Sequence, residues 1–236
     1  MFPIKDDNPL RSTPVVTILI VVVNVLVFLW QLGQGPDGAI FEYALVPRAL
    51  AATLGLDPGR AISAGEWQIA MTYDPAVPVP LTILTSMFMH GGLGHLLGNM
   101  WSFWIFGNNV EDETGPAAFL AFYLACGVAA ALTQTFIDLG SVVPMVGASG
   151  AIAGVLGAYL LRFPHARILT IVPFFLAWVV WVPAGVWLVI WFVGQVLSSL
   201  SSAVGVAWYA HIGGFVAGMV LGPVFMGARR RAVVRY

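Results

Sequence analysis

Six stretches of the chain are apolar enough, or nearly so, to be read as membrane crossings, for which about 20 apolar residues suffice. The clearest is residues 14–32, PVVTILIVVVNVLVFLWQL. The second, residues 94–108, is short and centred on HLLGNMWSFWIFG. The others are residues 116–137, 147–163, 183–200 and 209–226. Pro116 and Pro183 suit a first helical turn, where a missing N–H is no loss. Residues 168–182 are also apolar, but Pro173 interrupts them and Pro183 closes them. They read as an interfacial or strand-like lead-in, not a seventh crossing. The pattern predicts an all-α, polytopic bundle of six transmembrane helices with a long loop after the first. Residues 1–13 form a short N-terminus, 14–226 the membrane domain and 227–236 a basic tail.

Composition agrees. Of 236 residues, 59% are hydrophobic and only 9% charged, against about 25% charged in a soluble domain. Mean hydropathy is +0.90. The net charge of −1 decides nothing. The single cysteine, Cys126, allows no internal disulfide and reads as a small core residue.

The placement of charge sets an orientation. With six crossings and an inside N-terminus, the inner side holds Lys5, Arg11, Arg162, Arg167, Arg229, Arg230, Arg231 and Arg235. The outer side holds Arg48 and Arg60, a split of eight to two. Both termini are therefore expected to be cytoplasmic, in a cell membrane of bacterial inner or plasma type. The acidic trio Glu111, Asp112 and Glu113 falls inside, and the loop over residues 33–93 is external. The basic tail reads as a topology signal that also touches anionic lipid, not as a nucleic-acid site.

Polar residues gather at one depth. The second crossing opens with His95 and Asn99, one turn apart on one helical face. The fourth opens with Gly147-Ala148-Ser149-Gly150, the sixth with Ala210-His211. In this topology all three enter from outside. Polar groups inside a membrane are costly, face the bundle interior and are functional candidates. Small residues follow both Ser149 (Ala153, Gly157) and His211 (Gly214, Gly218, Gly222), a spacing that lets helices approach closely. Ser149 is thereby expected opposite His211. Serine needs a base to become a nucleophile, and histidine is the usual one near neutral pH. No acidic residue accompanies them at this depth, so the chemistry would run on a dyad. His95, Asn99 and the Ser149 N–H are candidate donors to an oxyanion.

GASG at 147–150, the histidines His90 and His95 with Asn99, and Ala210-His211 followed by glycines together resemble the rhomboid intramembrane serine proteases. The resemblance covers about residues 80–223. It implies Ser149 as nucleophile, His211 as general base, and an oxyanion hole lined by His95 and Asn99, with His90 nearby. It implies a transmembrane segment of another protein as substrate, cut near its outer end, with no metal or cofactor. Two positions depart from the pattern of many relatives. Leu81 and Thr82 stand where Trp-Arg is common, and Ala153 where an aromatic stacks on the base.

Other classes fit less well. No His is followed by Glu, as a zinc H-E-x-x-H motif requires. Paired intramembrane acids are missing, and so are the repeated halves of a transporter. The remaining alternative is an inactive relative that binds membrane proteins without cutting them, although this chain keeps both serine and histidine. Trp67, Trp181, Trp208 and Tyr209 read as interface anchors.

Overall fold

The fold is taken from a computed structural model that describes the chain apart from residues 36–37, 58, 60, 62, 175, 201–205 and 228–236. Arg60 and the basic tail with Arg229, Arg230, Arg231 and Arg235 lie outside the described residues.

The chain is mostly helical, a polytopic membrane bundle. A strand β1 (Phe2–Asp6) precedes α1 (Val15–Gly33). Short helices α2 (Gly38–Tyr43), α3 (Pro47–Thr53) and α4 (Ala64–Thr72), a 3-10 turn at Val79–Leu81 and α5 (Thr82–Thr85) fill the long first loop. Then come α6 (Leu93–Thr114), α7 (Pro116–Ile137), α8 (Ser149–Arg162), the hairpin β2 (Arg167–Phe174) and β3 (Leu176–Pro183), α9 (Ala184–Ser199) and α10 (Trp208–Met226). Among the described residues, α1, α7 and α10 are long and apolar enough to cross a membrane by length and composition. Their outward faces are apolar, with Leu19, Leu26 and Leu29 of α1 and Val216, Val220 and Val224 of α10 exposed. In water such a surface would be a liability.

The helix α8 is different. Every residue from Gly150 to Tyr159 is buried. A helix apolar all round belongs in the middle of a bundle, and α6, α7, α9 and α10 all pack around it. Its closest neighbour is α10. A Cβ on Gly214 would strike the carbonyl of Gly150, one on Gly218 that of Gly154, and one on Gly222 would press on Ala158. The two backbones therefore touch. The glycine row on α10 is the one expected from its spacing. On α8 the seam runs through Gly150, Gly154 and Ala158 with Gly157, not through Ser149 and Ala153. Those two line a cavity instead, because one residue along a helix turns the side chain by about 100°.

Beside the helices lies a three-stranded antiparallel sheet in the order β1-β2-β3. It occupies the stretch read as strand-like and draws in the N-terminal residues, so the chain departs from a purely helical plan. Pro173 forbids a helix through this stretch, and Ile168, Ile171, Val172, Val179 and Val180 favour an extended one. Strand β1 pairs with β2, with Phe2 opposite Ile171 and Asp6 opposite Ile168. It lies along α6, where the Trp101 indole donates to the Pro3 carbonyl at 2.7 Å.

The acidic trio closes the opposite end of α6 from His95. The Glu111 carboxylate accepts from the backbone N–H groups of Val16 and Thr17 at 2.8 and 2.7 Å. It caps the start of α1, whose first N–H groups have no helical partner and favour negative charge. Asp112 pairs with Arg11 at 2.9 Å, and Glu113 with Arg162 at 2.7 Å. One helix end thus fixes the starts or ends of α1, α6 and α8. The first loop is tied to the other end by the Leu45–Met145 bridge and by the Arg48 N–H to the Ser141 carbonyl at 2.9 Å.

Candidate active site

The turn before α8 sets the position of Ser149. Gly147 has φ +122°, a backbone state that other residues rarely adopt, and its N–H donates to the Ser86 carbonyl at 2.9 Å. A Cβ there would lie 2.8 Å from the His95 ring and 3.6 Å from the Asn99 amide nitrogen. Glycine therefore serves both the turn and the close approach of α6. Ser149 follows as the first residue of α8, where backbone N–H groups have no intrahelical acceptor.

His211 sits in the first turn of α10. That helix start is held by the Gln134 side chain of α7, which accepts from the Ala210 N–H at 3.2 Å. The glycine seam then brings the two helix starts together. His211 Nε2 lies 2.8 Å from Ser149 Oγ, within hydrogen-bond range for a nucleophile and its base. The other ring nitrogen, Nδ1, lies 2.7 Å from Gln195 Oε1 on α9. Two indoles flank the imidazole. Trp191 lies 6.2 Å away at 35°, and Trp208 lies 6.0 Å away at 89°.

From α6 come His95 and Asn99. The Asn99 amide nitrogen is buried and has no hydrogen-bond partner among the described residues. His95 Nδ1 accepts from the Gly91 N–H at 3.3 Å. His90 precedes the helix and is fully buried, its backbone clamped by Gln31 of α1 through bonds of 2.7 and 3.1 Å. Burial, helped by the nearby His95, lowers its pKa to about 4, so it is neutral at neutral pH and packs edge-on against the His95 ring at 5.1 Å. Ser149, His211, His95 and Asn99 all line one cavity of about 600 Å³.

All four residues singled out in the sequence are therefore brought together. Gln195 was missed, although the sequence carried a signal for it: it is a hydrogen-bonding side chain in the otherwise apolar run 184–197. Trp208, read as an interface anchor, faces the imidazole instead. With Ala153 carrying no aromatic ring, Trp191 of α9 and Trp208 of α10 itself stand beside the imidazole.

The profile of the Rhomboid domain family matches residues 79–228, a stretch that contains all four site residues. The chain is similar to "Rhomboid protein 1, mitochondrial" of Saccharomyces cerevisiae, 33% identical over 154 residues, covering 60% of this chain and 41% of that protein. It is similar to "Presenilin-associated rhomboid-like protein, mitochondrial" of Homo sapiens, 34% identical over 100 residues, covering 41% and 26%. With "Rhomboid protease GluP" of Bacillus subtilis it shares 40% identity over 78 residues, covering 33% and 15%. The matched stretches span less than half the length of each of these relatives.

Proposed function

This chain belongs to the rhomboid family, and on that premise we propose that it is an intramembrane serine endopeptidase that cuts transmembrane segments of other proteins near their outer ends. The observation that carries the reading is the 2.8 Å approach of His211 Nε2 to Ser149 Oγ inside a cavity. Ser149 Oγ attacks the carbonyl carbon of the scissile bond as its proton passes to Nε2. The oxygen that becomes negative is met by the Ser149 N–H, the Asn99 amide and the His95 ring. The imidazolium returns its proton to the leaving amine, the C–N bond breaks, and an acyl group remains on Ser149. Water, deprotonated by the same nitrogen, then releases it. The partners are membrane-protein substrates and lipid, and no step calls for a metal or cofactor.

The membrane arrangement is part of the proposal: six crossings, with both termini on the cytoplasmic side of a bacterial plasma membrane. Relatives named as mitochondrial share the domain, so the family does not choose the membrane, and the charge split bears only on which side the termini face. A helix the length of α8 spans about 21 Å of a hydrocarbon core of about 30 Å. With Arg162 at the inner interface, Ser149 is recessed below the outer surface, where a wide cavity gives water access.

One experiment tests nucleophile and orientation together. A membrane-impermeant fluorophosphonate added to intact cells is expected to label the wild-type chain and not Ser149→Ala. Labelling that needs opened membranes overturns the orientation. Absence of labelling in detergent as well overturns the nucleophile and favours a relative that binds without cutting.

The oxyanion donors make a separate forecast. Asn99→Ala is expected to lower kcat while KM stays within a few-fold, and His95→Ala to do so more severely. Loss of one such donor costs on the order of 3–4 kcal/mol in enzymes of this chemistry, and less here because other donors remain. Melting temperature and kcat are measured on the same detergent samples. A lower melting point with unchanged kcat would reduce the two residues to helix-pinning.

A further inference from the structure

We infer that Gln195 is a positioning residue for His211, holding the imidazole in the one tautomer that can accept the serine proton. The inference rests on the dyad reading above. It starts from the two sides of the ring: Nε2 faces Ser149 Oγ at 2.8 Å and Nδ1 faces Gln195 Oε1 at 2.7 Å. An amide oxygen only accepts hydrogen bonds, so Nδ1 carries the hydrogen and donates it. Nε2 is left with its lone pair directed at the hydroxyl. The opposite tautomer would place a hydrogen on Nε2, oppose proton removal and leave the Gln195 oxygen without a donor.

The surroundings leave this task to Gln195. Among the described residues, no Asp or Glu lines the cavity. The titratable group that faces His211 across it is His95 of α6. From α8 the facing group is the Ser149 hydroxyl, and α9 presents Trp191 and Gln195. These two are four residues apart, on one face of α9. The same helix face therefore holds the ring's hydrogen, through Gln195, and places Trp191 beside the ring at 6.2 Å. A neutral acceptor also differs from the carboxylate of a triad. It orients the base without drawing a positive charge toward itself, and in a membrane interior it avoids burying an ion.

Two variants and two readouts test this. Gln195→Met keeps the length and removes the acceptor, and is expected to lower kcat by about ten- to a hundredfold with KM within a few-fold. Gln195→Glu keeps an acceptor in place and adds a charge. It is expected to retain far more activity than Gln195→Met, and to move the acid limb of the kcat/KM profile to higher pH, because the added carboxylate favours the imidazolium. A residue that only packs would leave that limb where it is. The second readout needs no turnover: the 15N shifts of His211 in the Ser149→Ala background. They are expected to show the Nδ1–H tautomer with Gln195 in place and a mixture of tautomers once Gln195→Met is added. An Nε2–H tautomer with Gln195 present, or an unchanged tautomer in Gln195→Met, overturns the inference. So does an unchanged acid limb in Gln195→Glu. If the dyad reading itself fails, wild-type turnover and phosphonate labelling are both absent, while the tautomer measurement still decides the role of Gln195.

Discussion

Ser149→Ala, His211→Ala and the double variant are expected to lose cleavage of a model membrane substrate to one common residual level, on the order of 10⁴-fold or more below wild type. The reason lies in the 2.8 Å contact between the two side chains. Without the base, the hydroxyl keeps its proton and attacks poorly. Without the hydroxyl, the base has nothing to activate. Each single change therefore removes what the other residue contributes, and the second change removes nothing more. Additive losses would mean that the two act independently, and near-normal turnover in either single variant would end the assignment. Folding is not expected to suffer. Ser149 is the first residue of its helix, after the cap position Ala148, its hydroxyl meets His211, and Ala is a good helix residue. Melting temperatures within a few degrees of wild type would separate lost chemistry from lost structure.

Gly218→Leu is expected to cost both stability and at least about a hundredfold in kcat/KM, whereas Val220→Leu, two residues along the same helix, is expected to leave both within a few-fold of wild type. A side chain at position 218 would begin inside the carbonyl of Gly154, and the nearest atoms it meets are all main chain. Main chain within a buried helix cannot swing aside as the end of a methionine can. The helices must separate, and overpacking of this kind costs about 1–3 kcal/mol. The separation also carries His211 away from Ser149, and a misplacement of about 1 Å can cost about a hundredfold in rate. Val220, by contrast, is 65% exposed on the outer face. Activity and melting temperature of the two purified variants, measured side by side, check this. Equal tolerance at both positions would show that the seam does not hold the dyad.

The long apolar helices were legible because length and periodicity are local. Pro116–Ile137 is bounded where the run 116–137 is bounded, with proline at its first turn, and Trp208–Met226 begins one residue before the run 209–226. The helix α6, expected over residues 94–108, continues to Thr114, beyond the apolar run that ends at 108. Glu111, Asp112 and Glu113 broke the pattern, but they are helical because their partners are Val16, Thr17, Arg11 and Arg162, most of them about a hundred residues away. No window of sequence contains that information. The same holds for β1, whose strand pairing depends on residues 168–171. The site residues Ser149, His211, His95 and Asn99 could be picked out because each is a polar group within the first two turns of a helix in an apolar chain. Gln195 lies at the far end of its helix from Pro183, so a search confined to helix starts passes it by. Only the packing of α9 beside α10 gives it a partner.

The contact between α8 and α10 has one more consequence. An interface made of side chains can drift, since a loss on one surface is offset by a gain on the other. Here the touching atoms are the carbonyls of Gly150 and Gly154 and the α-carbons of Gly214 and Gly218. Neither helix has anything smaller to exchange. Room for a larger side chain lies instead at outward positions such as Val216, Val220 and Val224, which are exposed. The distance between Ser149 and His211 is thus set by the thickness of two polypeptide backbones, a length that substitution at these four glycines can increase but never shorten.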